Sequence, residues 1–131
     1  MTTYNWDLIE RLLHEVQNSA GKPFAPRNYA EELATELQRA GEQTGNLDAL
    51  KVLATQYEEQ LLSAGFITPR PEGEGGNGEN FVLTERGAQL LSMIDSSFPG
   101  GEHARELLDQ QGTTALAAEA FDERASQASL L

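Results

Sequence analysis

Two histidines, His14 and His103, are the side chains of widest chemical reach in this chain. Each has a carboxylate one helical turn away: Glu10 lies at i−4 from His14, and Glu106 at i+3 from His103. Residues so spaced share a helix face, so either pair offers two ligands to a divalent metal. A zinc site takes three or four protein ligands. Neither pair has a third in its neighbourhood, so both are read as polar positions on exposed helix faces, and no metal is expected. Ser92, Ser96 and Ser97 have no nearby His or Lys to activate a nucleophile. The run Gly73 to Gly78 lacks the Lys and Ser/Thr of a phosphate loop, and its Glu neighbours would repel phosphate. The pairs Glu31-Glu32 and Glu58-Glu59 are adjacent, so they diverge around a helix instead of converging on a substrate. With no Cys, thiol nucleophiles, thiolate metal sites and disulfides are excluded. The expectation is a binding protein, not an enzyme, with no cofactor.

Charge narrows the choice of partner. Nine Lys+Arg stand against 21 Asp+Glu in 131 residues, a formal net charge of −12. Up to Thr68 there are five basic and ten acidic residues, and from Pro69 onward four and eleven, so the acidity is spread along the chain and is no detachable tail. Proteins that bind duplex DNA gain affinity by neutralising phosphates with Lys and Arg, which are scarce here. An acidic surface fits a basic partner instead. No apolar run approaches the roughly 18 residues that would span a bilayer. The first residues show no signal-peptide pattern, so a soluble cytoplasmic protein is expected.

The elements that must position a site follow from periodicity. Leu8, Ile9, Leu12, Leu13 and Val16 recur at helical spacing and predict a first helix from Trp6 to Asn18, with Asn5 as N-cap and Asp7 at the positive end of the dipole. After a breaker-rich loop, in which Phe24 should reach the core edge, Asn28 and Glu31 have capping-box spacing and predict a second helix starting near Asn28. Leu47, Leu50, Leu53, Ala54, Tyr57, Leu61 and Leu62 form the inner stripe of a third helix that should end at Gly65. Residues Phe66 to Thr68 are then expected to pair with Phe81 to Leu83, with Pro69 stopping the first strand. The intervening Gly-rich loop reads as flexible, with too many glycines to pack tightly. Thr84 should cap a fourth helix with inner face Gly87, Leu90, Leu91 and Ile94, Gly87 allowing a close approach. Two short helical pieces are expected from Glu102 to Gln110 and from Thr114 to about Arg124, with frayed residues beyond.

The expected fold class is mainly α with a small two-stranded β wing: a winged helix-turn-helix domain over residues 1–96, followed by a C-terminal helical extension over 97–131 that serves docking or dimerisation. The stretches Trp6 to Leu13, Tyr57 to Ile67 and Leu83 to Ile94 resemble a family of small winged-helix-like proteins of unknown function, common in bacteria and their prophages. That family shows an opening D-L-I-R-x-I-L helix, a Y-H-x-x-L-L-x-E-A-G-L-I junction and a closing L-T-x-x-G-H-x-F-L-D-A-I helix. The resemblance covers roughly residues 5 to 96 and implies a fold and a phage-like setting, without an activity. Glu58 stands where the family often has His, and Ala88 where a His follows the glycine, so no role of those histidines carries over.

In a winged helix the third helix usually enters the major groove. Here Lys51, Thr55 and Gln56 could read bases, with Arg70, Arg27 and Arg39 as phosphate contacts. Asp48, Glu58 and Glu59 on the same helix, and Glu72, Glu74 and Glu79 on the wing, would oppose DNA. The favoured expectation is therefore protein–protein contact through this acidic face with a basic partner. In a phage-like setting the protein would act as an inhibitor of a host nucleic-acid-binding system, as anti-CRISPR proteins do. The alternative is a DNA-binding transcriptional regulator, dimeric through its C-terminal helices.

Overall fold

Leu8, Ile9, Leu12 and Leu13 of the first helix are fully buried and form the middle of the core. The structure, a computed structural model, describes residues 4–18, 24–41, 46–76, 78, 80–95 and 101–129, the side chains of 101–103, 113 and 124–129 excepted. In chain order it contains α1 (Trp6–Asn18), α2 (Pro26–Arg39), α3 (Leu47–Ser63), β1 (Ile67–Pro69), β2 (Phe81–Leu83), α4 (Glu85–Ile94), α5 (Gly101–Asp109) and α6 (Ala118–Ser129). Single 3-10 turns lie at Glu72–Glu74 and Gly112–Thr114. The fold is thus mainly helical, with one two-stranded antiparallel sheet after the first three helices.

The helix ends follow local chemistry. Asn5 caps α1, its side-chain oxygen accepting from the Leu8 N–H at 3.1 Å. Asn46 does the same for α3, accepting from Asp48 and Ala49. The α2 start differs from the capping-box reading. Pro26 occupies the first turn, Ala25 is the N-cap, and no side chain caps the helix. Proline has no N–H to satisfy and its fixed φ suits a first helical turn, so the helix begins before Asn28 and leaves that residue exposed.

The two strands pair as expected, with the first lying one residue later, at Ile67–Pro69. Ile67 faces Leu83, Thr68 faces Val82, and Pro69 faces Phe81. Pro69 ends the strand from inside it, which a two-stranded edge tolerates. The glycine-rich connection is also tighter than its composition suggests. Asn80 is buried, its backbone carbonyl accepts from Arg70 N at 3.0 Å, and its side chain donates to the Gly75 carbonyl. A Cβ at position 76 would overlap the Arg70 carbonyl, so Gly76 lets two backbone segments approach closely. Phe24 reaches the core edge as expected, its ring against those of Tyr29 and Phe81.

One joint ties α3, the hairpin and α4 together. Gly65 turns at φ +79°, in the left-handed region that glycine adopts cheaply. The Phe66 carbonyl accepts from the Thr84 N–H (3.1 Å), the Thr84 hydroxyl donates to the Gly65 carbonyl at 2.6 Å, and Thr84 Oγ1 accepts from the Gly87 N–H. Arg86 donates to the Ala64 carbonyl at 2.7 Å, placing a cation at the negative end of α3. The same guanidinium forms two hydrogen bonds with Asp122 of α6, which hold the Asp122 carboxyl below its usual range.

The segment after Ile94 packs on the same core. Leu108, Ala115, Leu116 and Phe121 are buried with the residues of α1, α3 and α4. Trp6 Nε1 donates to Asp109 at 2.8 Å, and the Phe121 ring meets that of Phe66 edge-on at 4.9 Å. The expected second piece begins later and runs further than the sequence suggested: α6 starts at Ala118 and continues to Ser129, while Thr114 lies in a 3-10 turn.

Candidate interaction face on the third helix

The α3 helix turns Leu50, Ala54, Tyr57 and Leu61 inward, which leaves a broad outer face. Asp48, Val52, Gln56, Glu59, Leu62 and Ser63 are exposed on it, and Lys51 and Thr55 are partly exposed. Two of these residues are unusual. Val52 is 48% and Leu62 40% exposed, and they are the large apolar side chains that stand out among the described residues. Leu62 was expected in the inner stripe. Leu61, expected there as well, does reach the core, and on a helix the next residue points about 100° away.

Of the cations offered for DNA contact, Arg27 is exposed, while Lys51, Arg70 and Arg39 each have a constraint. Lys51 Nζ lies 3.4 Å from Glu31 of α2, so the one base-reading cation on this face is neutralised by a neighbouring helix. Thr55 donates its hydroxyl to the Lys51 carbonyl of its own helix. Arg70 lies at the foot of the hairpin loop with its Nε enclosed and without a hydrogen-bond partner among the described residues. Arg27 and Arg39 are exposed on α2, but Arg39 shares a shallow cleft with Glu31, Glu32 and Glu36. Elsewhere Arg11 pairs with Glu36, and Arg105 with Asp7 and Glu10.

The acidic residues are placed more favourably for contact. Asp48 and Glu59 share the outer face of α3, and Glu72 and Glu74 are exposed on the turn of the hairpin loop. Glu79 lies outside the described residues. Glu58 is only half exposed at the flank of α3. Its carboxyl is pushed up by burial, with a further push from the Glu59 charge. A raised carboxyl means that the fold disfavours the charged form. The ionised group therefore costs stability near neutral pH, and the cost vanishes once the group is protonated in both folded and unfolded states. Glu58→Gln is expected to raise the Tm at about pH 7 and to lose that advantage by about pH 4, as checked by thermal melts at both values. An equal gain at both would sink this assignment.

No protein family, curated protein or solved structure matches this chain. The reading of the site therefore rests on its own chemistry. Among the described residues no helix is long and apolar enough to cross a membrane.

Sequence reasoning missed one feature. Asp95, the C-cap residue of α4, meets Glu10 and His14 in space. No spacing rule could join them, because the fold brings together the end of α4 and the middle of α1. The second histidine pair is not comparable: the His103 side chain lies outside the described residues.

Proposed function

We propose that this chain is a non-enzymatic winged-helix binding protein that acts by protein–protein contact, with the outer face of α3 and the hairpin turn as its contact surface. The order of three helices, a β-hairpin and a fourth helix supports the winged-helix reading. The observation that carries the functional reading is the composition of the α3 face. Val52 and Leu62 supply exposed apolar contact, Asp48 and Glu59 supply negative charge, and Lys51 is held by Glu31. Apolar anchors ringed by charge suit a protein partner. A groove-binding helix would instead present free cations to phosphates.

The partner class that matches is a basic protein surface. In the phage-like setting implied by the resemblance, the protein inhibits a host nucleic-acid-binding system by occupying the surface that nucleic acid would use. Dimeric DNA recognition through the C-terminal helices has less support, since Leu108, Leu116 and Phe121 are buried within their own chain.

The test combines DNA binding with charge reversal. The wild-type protein is expected to show no anisotropy change with a labelled random duplex near 50 mM salt, where phosphate contacts are strong. The quadruple variant Asp48→Lys, Glu59→Lys, Glu72→Lys, Glu74→Lys is expected to gain salt-sensitive DNA binding and to lose binding to basic proteins. Glu58 is left unchanged because its substitution alters stability. Tight wild-type binding to the duplex, lost steeply as salt rises, would overturn the proposal and favour the transcriptional regulator.

A further inference from the structure

We infer that Glu10, His14 and Asp95 form a binding site for a divalent transition-metal ion of the zinc or cobalt class. Glu10 and His14 sit one turn apart on α1, and Asp95 approaches them from the C-terminus of α4. One ligand atom from each lies within 4.8 Å of the others, and His14 Nε2 is 3.3 Å from Asp95 Oδ2. Ligand atoms around a tetrahedral zinc ion lie about 3.4 Å apart, given bonds near 2.1 Å. The present spread therefore needs a side-chain adjustment on the order of 1 Å, within the reach of the glutamate's rotatable bonds.

Three features set this trio apart from ordinary surface carboxylates. Both acids are largely withdrawn from solvent, Glu10 at 9% and Asp95 at 7% exposure, so an ion held between them would be shielded from bulk water. An imidazole stands with them, and one nitrogen with two carboxylates is a donor set that suits zinc, cobalt or manganese better than calcium or magnesium. Finally, the trio has access. Glu10 and His14 line a cleft of about 450 Å³ between α1 and α2, and Asp95 is not among its lining residues. With three protein ligands, a four-coordinate ion would keep one position for water or another oxygen ligand.

The surroundings define what the metal competes with. Arg105 Nη2 sits 3.2 Å from Glu10 Oε1 and its Nη1 2.9 Å from Asp7 Oδ1, so Glu10 already has a cationic neighbour that orients it. His14 meets Asp95 as an ion pair when protonated.

Chelator-stripped full-length protein titrated with Co²⁺ reads the site through visible absorption, and Zn²⁺ added afterwards should displace the signal. One equivalent is expected to saturate it, and His14→Gln is expected to weaken binding by about 100-fold or more, as loss of a direct ligand should exceed the 10–100-fold effects of outer-shell changes. His14 is partly exposed, so this variant does not threaten the fold. Asp95→Asn should act in the same direction, and Glu106→Gln should leave binding unchanged. Absence of a Co²⁺ signal at millimolar metal would overturn the proposal. So would binding that survives His14→Gln, which would place the ion elsewhere on the acidic surface.

Discussion

Gly87→Ala is expected to destabilise the protein by about 3 kcal/mol or more, at the upper end of overpacking effects. The sign is the informative part. In an exposed helix interior the same change stabilises by up to about 1 kcal/mol, because alanine is the better helix former. Gly87 has no left-handed backbone to protect, so propensity alone favours alanine. Packing reverses the result. A Cβ at 87 would overlap the Phe66 carbonyl oxygen, and Leu83 lies just beyond. A backbone carbonyl cannot swing aside as a side chain can. Here it is also held by the N–H of Thr84. Making room means moving α4 away from the hairpin, with loss of the Thr84 bonds and of the Arg86 contact to the end of α3. For a chain of this size the cost corresponds to a fall in Tm of about 10 °C. Thermal or urea unfolding of the variant measures it, and a Tm at or above that of the wild type would mean that α4 does not approach the hairpin so closely.

The residues of this joint are also those on which the expected helix–strand–strand–helix order was read in the sequence. Gly65 makes the turn, Thr84 caps α4 while binding the Phe66 carbonyl, and Gly87 permits the contact. Each has a backbone reason for its identity, which is why this part of the fold was legible in the sequence. For the same reason the pattern speaks to architecture and says little about a partner. The inner face of α4 and the Asn5 cap were equally legible, since both depend on neighbours within one or two turns.

What the sequence hid depends on competition or on distance along the chain. At α2 two start signals compete, and Pro26 prevails over Asn28 because it needs no partner for a missing N–H. In the hairpin loop, glycine content signals flexibility, yet Gly76 serves close backbone packing. On α3 a helical net gives Asp48, Val52, Gln56 and Glu59 as outward residues, but it does not show that Lys51 is held by Glu31. The Glu10–His14–Asp95 trio lies furthest from local reasoning. Two of its members are a visible pair, and the third arrives through the packing of α1 on α4.

Phe121→Ala is expected to cost about 3–5 kcal/mol, the range for removing a buried aromatic ring, and to release α5 and α6 from the rest of the molecule. Phe121 is fully buried, and its ring packs edge-on against Phe66, whose carbonyl belongs to the joint described above. Its neighbour Asp122 holds Arg86, the cation at the end of α3. Losing the ring therefore loosens both the apolar and the charged attachment of α6. The α5 helix has its own anchors, Leu108 in the core, Asp109 on Trp6, and Arg105 on the Ile94 carbonyl. Partial release would thus leave α5 docked, and full release would expose Trp6. Because Trp6 is the single tryptophan of the chain, its fluorescence separates the two outcomes. A red-shifted emission accompanied by fast amide exchange across α5 and α6 would show that the segment docks as a unit. Fast exchange confined to α6, with unchanged emission, would show that α5 holds by itself. A loss below about 1 kcal/mol with exchange unaltered would mean that Phe121 is no part of the core, contrary to its burial. The Val52 and Leu62 face lies on the outside of α3, so undocked α5 and α6 should leave the proposed contact at that face unaffected wherever the variant remains folded.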